Sequence, residues 1–157
     1  MQNEVTEIET DVLVVNLFEG VTSPGGATGA VDKVVGGLIT DLIGDGEISG
    51  SESELTLIHT SNSVYPDLKA SRVLVAGLGS SDRIDTNVIR RVSASVIRKL
   101  REVGTKKFAT IVHGAGIGGL DVSSSSQSLV EGSMLGAYRF LKYRTTDTKR
   151  KSDVESM

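Results

Sequence analysis

The feature that most restricts the fold is an alternation of short apolar runs with glycine-rich turns and amphipathic stretches. Residues 11–18 are rich in β-branched side chains, which is typical of a strand buried on both faces. Residues 55–59, 72–78 and 108–112 are predicted as further strands, and residues 5–8 as an edge strand. Apolar residues at helical spacing separate most of these runs. This order predicts an α/β fold with a mixed, largely parallel sheet flanked by helices on both faces.

Three helices are predicted between and after the strands. The first has an apolar stripe across residues 31–42, with Gly36 and Gly37 inside it. Glycine costs about 1 kcal/mol in a helix interior, so we expect a close approach to the sheet to explain the pair. Thr86 is predicted to cap the second helix. The third helix is predicted to turn five residues toward the core: Val130, Met134, Ala137, Tyr138 and Leu141.

Composition narrows the class of protein. The chain has 157 residues, 38% of them hydrophobic, which suits one globular domain with its own core. It has no cysteine, so disulfides and thiolate metal sites are excluded and a reducing, cytoplasmic location is expected. A net charge of −3 argues against a nucleic-acid partner, and no apolar run or signal pattern indicates a membrane. The polar residues 145–157 are predicted to be a linker or disordered tail after a domain at 1–144.

The chain shows no complete catalytic or metal-binding motif. Its two histidines, His59 and His113, end two predicted strands, and we expect them near one rim of the sheet. Two histidines alone do not form a zinc site, because zinc takes three or four protein ligands. Structural hydrogen bonding is the simpler role for each. No nucleophile elbow, zinc-protease helix motif or phosphate-binding loop with its lysine is present.

Two glycine-rich turns are the only candidate ligand loops. One follows the first strand and the other follows the strand at residues 108–112, so both are expected at the carboxyl edge of the sheet. Backbone N–H groups in such turns bind anions, although turn geometry alone explains the glycines more simply. The candidate residues are Ser23, Gly25, Gly26, Gly114, Gly116 and Gly118.

Five stretches, taken in order, carry a resemblance to a known family. They are residues 11–20, residues 31–39, residues 72–79, the Arg90-Arg91 helix, and residues 131–143 with their Gly-Ala-Tyr-Arg-Phe ending. The chain resembles the N-terminal domain of the cytosolic leucyl aminopeptidase family over about residues 11–144. It departs from the family pattern at Leu141, where aspartate is usual, and at Arg144, where lysine is frequent.

The resemblance implies a macro-domain-like fold without an active site. In this family the larger C-terminal domain holds two metal ions, usually zinc or manganese, that activate water against the peptide bond. No catalytic or metal-binding residue of the family is carried onto this chain, so it is expected to be inactive alone. The implied partners are that catalytic domain and the other subunits of a hexamer. The chain is expected to be either a shortened form of the enzyme or a stand-alone relative.

Three hypotheses for the function follow. The first is an accessory domain that serves assembly of, or access to, the active site of an aminopeptidase. The second is a macro-domain-like module that binds ADP-ribose or a related nucleotide through the glycine-rich loops, by analogy of fold. The third is a purely structural module for protein–protein contact.

Overall fold

The computed structural model describes residues 4–138 and 154–157 of the chain. Within these residues the strands are β1 (Val12–Leu17), β2 (Leu55–His59), β3 (Arg72–Gly77) and β4 (Phe108–Thr110). The α-helices are α1 (Gly26–Val34), α2 (Leu38–Gly44), α3 (Thr86–Glu102) and α4 (Val122–Ala137).

The four strands form one mixed sheet in the order β2-β3-β1-β4. Strand β1 lies in the middle and is parallel to both β3 and β4, and β2 pairs antiparallel with β3 at one edge. The predicted α/β fold with a largely parallel sheet is therefore confirmed. Parallel neighbours end at the same edge, so the loops after β1 and β4 leave the sheet side by side.

The two faces of the sheet have separate cores, and β1 contributes to both. Val12 and Val14 point to the face covered by α3 and α4, and Leu13 and Val15 point to the face covered by α1 and α2. All four are fully buried, as alternation along a central strand requires. The run of consecutive apolar residues in β1 thus follows from helices on both sides.

Two predictions at element ends were wrong. Residues 5–8 are not an edge strand, because Val5–Glu7 form a single turn of 3-10 helix with the buried Thr6 at its centre. Asp85, not Thr86, caps α3, since the Asp85 carboxylate accepts from the Val88 N–H at 2.8 Å. An N-cap side chain reaches the third N–H of the helix, and Asp85 lies at that spacing.

The predicted helix over residues 31–42 is two helices. Gly36 and Gly37 have φ values of 72° and 85°, in the left-handed region that ends a helix and favours glycine. A Cβ added to either would meet nothing within 4 Å, so close approach to the sheet is not the reason for the pair. The chain restarts as α2, where the buried Asp32 accepts from the Ile39 N–H at 2.7 Å.

The buried face of α4 also differs from the predicted one. Val130, Met134 and Tyr138 are 42%, 69% and 73% exposed. The residues that α4 buries are mostly small: Ser125, Ser128, Leu129, Gly132 and Gly136. Small side chains let the backbone of α4 approach that of α3, and this gain in packing decides which face turns inward. Leu141 lies outside the described residues.

The last four residues lie beside the outer edge of β4. The Phe108 N–H donates to the Ser156 carbonyl at 3.1 Å, in a parallel bridge between Lys107 and Ser156. Val154 packs against the core that α3 and α4 cover. Because residues 145–153 fall outside the described part of the chain, the division into a domain at 1–144 and a tail at 145–157 stays a prediction.

Candidate functional site

A cleft of about 430 Å³ lies at the carboxyl edge of the sheet, between the loops that follow β1 and β4. One wall is the turn into α1, the other is the turn after β4, and the end of β1 lies between them. The lining residues that follow the two strands are Phe18, Val21, Pro24, Gly25, Gly26, Ala27, Thr28, Ile111, Val112, Gly114, Ala115 and Ile117. Most of this lining is apolar, and no lysine or arginine is among the described lining residues.

The first wall is the start of helix α1. Gly25 is the N-cap in an extended conformation, and no side chain caps the N–H groups of the first turn. The first N–H groups of a helix have no intrahelical acceptor and carry the positive end of the helix dipole. The cleft therefore has backbone donors, not cationic side chains, with which to hold an anionic group.

The second wall is the glycine-rich turn after β4. Gly114 and Gly116 have φ values of 71° and 80°, which the tight turn requires. The turn closes on itself, because the Gly116 N–H donates to the Leu120 carbonyl at 2.9 Å. Asp121 then caps α4 by accepting from the Ser124 N–H at 2.6 Å.

The structure brings together three of the six candidate ligand residues. Gly25 and Gly26 line the cleft from the α1 side, and Gly114 lines it from the opposite side. Ser23 and Gly116 belong to the same loops but are not among the lining residues. Gly118 is not a lining residue either, and a Cβ added to it would lie 2.5 Å from the Ile84 side chain. Binding of a ligand by these loops stays a prediction.

Asn16 forms the floor of the cleft, and sequence analysis missed it. Its carbonyl accepts from the buried Thr28 hydroxyl at 2.7 Å, which ties β1 to α1. Its amide nitrogen lies 3.2 Å from Nδ1 of His113, which ties β1 to the turn after β4. The sequence did carry a signal for it, since Asn16 is the one polar residue in an otherwise apolar run. A polar side chain in a buried strand requires a specific hydrogen-bond partner.

His113 lies beneath the second wall and is 1% exposed. Burial disfavours the charged imidazolium and lowers the pKa of His113 to about 4. The ring contacts Asn16 through Nδ1 and lies 3.4 Å from the Thr110 hydroxyl through Nε2. This neutral ring is a hydrogen-bonding link between the two strands that flank the cleft.

The two histidines do not meet, which corrects the expectation of a shared rim. His59 pairs with Arg72, the first residue of β3, because β2 runs antiparallel to β3. The end of β2 therefore lies at the edge opposite to the cleft. Among residues 4–138 and 154–157, no group of three His, Asp or Glu side chains is placed to hold a metal ion.

Comparison with known proteins identifies the family. The sequence profile of the cytosol aminopeptidase family, N-terminal domain, matches residues 14–147. A probable cytosol aminopeptidase of Alkaliphilus metalliredigens is 29% identical over 98% of this chain. The chain spans only 30% of the length of that relative.

Within the described part of the chain, no helix has the length and apolar character needed to cross a membrane.

Solved structures agree on the fold. A mutant of tomato leucine aminopeptidase superposes with a TM-score of 0.74 at 17% identity, over 99% of this chain and 30% of that one. A Trypanosoma brucei macrodomain in complex with ADP-ribose superposes with a TM-score of 0.65 at 19% identity, over 85% of this chain and 54% of that one. The macro-domain-like fold is thereby confirmed. Because the family profile matches residues 14–147, the chain belongs to the cytosol aminopeptidase family through its N-terminal domain.

Proposed function

We propose that this chain is the accessory domain of a metal-dependent aminopeptidase, which removes N-terminal amino acids from peptides. The observation that carries the proposal is the match to the N-terminal part of relatives more than three times as long. In this proposal, two zinc or manganese ions bind to the catalytic remainder of the whole protein. The whole protein is proposed to be cytoplasmic and hexameric, with this domain serving assembly or access to the active site.

The isolated chain is expected to show no aminopeptidase turnover. The proposal places every metal ligand and catalytic group outside these residues, so nothing in the chain activates a water molecule. The measurement is release of p-nitroaniline from leucine p-nitroanilide in the presence of manganese, with an intact leucyl aminopeptidase as positive control. Turnover that persists through repurification would contradict the assignment.

An apolar surface on α4 is the proposed contact with the rest of the enzyme. We define the α4 surface as Val130 and Met134, which are exposed on the helix, together with the exposed Tyr138 just after its end. Met157 lies next to Val130 and is 57% exposed. Exposed apolar side chains gathered on one surface indicate a protein contact. By contrast, the outer side of α3 is charged: Arg91 pairs with Glu52, Lys99 pairs with Glu102, and Arg98 is exposed.

Acidic substitutions on the α4 surface are expected to weaken binding to the catalytic remainder at least tenfold. The probe is the separately expressed C-terminal part of the Alkaliphilus metalliredigens relative, and the readout is co-purification after co-expression. The variant Val130→Glu/Met134→Glu buries two carboxylates in an apolar contact, which carries a large desolvation cost. Arg98→Glu, on exposed α3, is the matched control. If the double variant and the native chain co-purify equally with the catalytic part, the contact lies elsewhere.

A second candidate function is binding of ADP-ribose or a related nucleotide in the cleft. The observation that favours it is the meeting of two glycine-rich loops around one cavity at the carboxyl edge of a parallel strand pair. Such edges are common ligand sites in α/β proteins, and uncapped N–H groups of α1 suit a phosphate. One macrodomain with the same fold was solved with ADP-ribose.

Filling the cleft is expected to abolish nucleotide binding while leaving the fold intact. A Cβ added to Gly25 meets nothing within 4 Å, and its backbone is extended, so Gly25→Leu adds a side chain to the cleft without backbone strain. The measurement is calorimetric titration with ADP-ribose. Gly44→Leu, at another open glycine that does not line the cleft, is the control and should bind as the native chain does. No heat of binding by the native chain at millimolar ligand would reject this candidate.

A further inference from the structure

A chain of hydrogen bonds beneath the cleft determines which ring nitrogen of His113 carries the proton. The Thr110 hydroxyl donates its single hydrogen to the Ile111 carbonyl at 3.0 Å. It is therefore an acceptor toward Nε2 of His113, which lies 3.4 Å away. A neutral imidazole with a protonated Nε2 has a bare Nδ1. That Nδ1 accepts from the Asn16 amide NH₂ at 3.2 Å.

These hydrogen bonds also orient the Asn16 side chain. Once the NH₂ group of Asn16 donates to His113, the carbonyl oxygen Oδ1 points away from the ring. Among the described residues, Oδ1 has no hydrogen-bond partner, and Asn16 is a partly exposed lining residue of the cleft. The backbone of Asn16 is held separately by the Thr28 hydroxyl at 2.7 Å. Both the position and the orientation of the amide are thus determined by its neighbours.

We propose that His113 is a positioning residue that turns the Asn16 carbonyl oxygen toward the cleft, so that the cleft selects a ligand with a hydroxyl or amino donor at its floor. The inference rests on the second candidate function. It divides the cleft into two parts with different chemistry. The start of α1 presents donors and suits an anionic group, whereas the floor presents an acceptor and repels one. A phosphorylated sugar or nucleotide has both kinds of group.

The opposite tautomer would reverse this selection. With a proton on Nδ1, His113 would donate to Asn16, the amide would turn over, and its NH₂ group would face the cleft. Because the His113 side chain is almost fully buried, it stays neutral at pH 7 and does not donate from both nitrogens. The tautomer is therefore the single property on which the polarity of the floor depends.

The first experiment needs no ligand. Long-range ¹⁵N–¹H correlation NMR of the intact chain at pH 7 is expected to show a protonated Nε2 and a bare Nδ1 for His113. His113→Gln keeps an acceptor and a donor and should keep the Asn16 amide resonances near their native positions. His113→Leu should shift them. A protonated Nδ1, or Asn16 resonances that are unchanged in His113→Leu, would overturn the proposal.

The second experiment uses ADP-ribose as the probe in calorimetric titrations. Asn16→Leu and His113→Leu are each expected to weaken binding about tenfold, as loss of one hydrogen bond predicts, and His113→Gln should restore most of the affinity. His59→Gln, at the opposite edge, is the control. Equal affinities for His113→Leu and His113→Gln would reject the positioning role. If the native chain fails to bind, the nucleotide candidate alone is rejected, and the NMR result still decides the positioning of Asn16.

Discussion

Replacing Gly132 with alanine is expected to lower the free energy of unfolding by about 1–3 kcal/mol, the usual cost of overpacking a core. A Cβ at this position would lie 2.7 Å from the Cα of Arg90, and one at Gly136 would lie 2.6 Å from the Cα of Ala94. Both obstacles are backbone atoms of α3, which a rotamer change does not move. Helix α4 would have to shift outward, and the core around Leu129 would loosen with it.

Urea unfolding monitored by circular dichroism measures this effect. Gly44→Ala, at the end of α2, is the matched control because a Cβ there meets nothing within 4 Å. Alanine is the better helix former by about 1 kcal/mol, so the control should be neutral or slightly stabilising. The two substitutions are chemically identical, and the opposite sign of their effects isolates the contact between α3 and α4. A stabilised Gly132→Ala variant would mean that the two backbones are not in close contact.

Acidification from pH 6.5 to pH 4 is expected to remove about 3 kcal/mol of stability through His113 alone. Burial lowers the pKa of His113 from 6.5 to about 4, so the unfolded chain binds a proton in this range and the folded chain does not. The unfolded state is therefore favoured as pH falls. This contribution to stability is complete above pH 6.5 and is lost progressively down to pH 4.

Replacing the histidine should flatten the pH dependence in that window. His113→Gln lacks the titrating ring, so its stability should change less between pH 6.5 and pH 4 than that of the native chain. His59→Gln, which replaces the exposed histidine at the end of β2, is the control. The measurement is urea unfolding at intervals of half a pH unit. Asp11, Asp121 and Glu131 have lowered pKa values through their hydrogen bonds, so their contribution to stability is also lost as pH falls and overlaps the acid end of this window. An unchanged slope in His113→Gln would show that folding does not alter proton binding by the His113 ring.

Strand positions followed closely from the sequence, and element boundaries followed less well. The apolar runs at β1, β2 and β3 predicted those strands to within a residue or two, because burial on one or both faces imposes a local pattern. The glycine pair at 36–37 was misinterpreted because a packing glycine and a helix-ending glycine look alike in sequence. Only the backbone angle distinguishes them.

The helix face that packs inward was the largest error. Val130 and Met134 have helical spacing with other apolar residues, and sequence patterning assigns such a stripe to the core. In the structure, Gly132 and Gly136 take that place because they permit contact between backbones. The exposed stripe is the α4 surface that we propose to bind the catalytic remainder. Residues that the sequence predicted to lie in the core therefore form a candidate interface.

The sequence by itself determined the α/β class, the main strands, the two glycine-rich loops and the family, since each depends on local periodicity or on residue order. The tertiary structure decided that β1 and β4 are parallel neighbours, and this placed Gly25 and Gly114 across one cleft. It also placed Asn16 against His113 and separated His113 from His59. These relations join residues as many as 97 positions apart. They depend on strand order and direction, which arise from packing of the whole chain and leave no local signal.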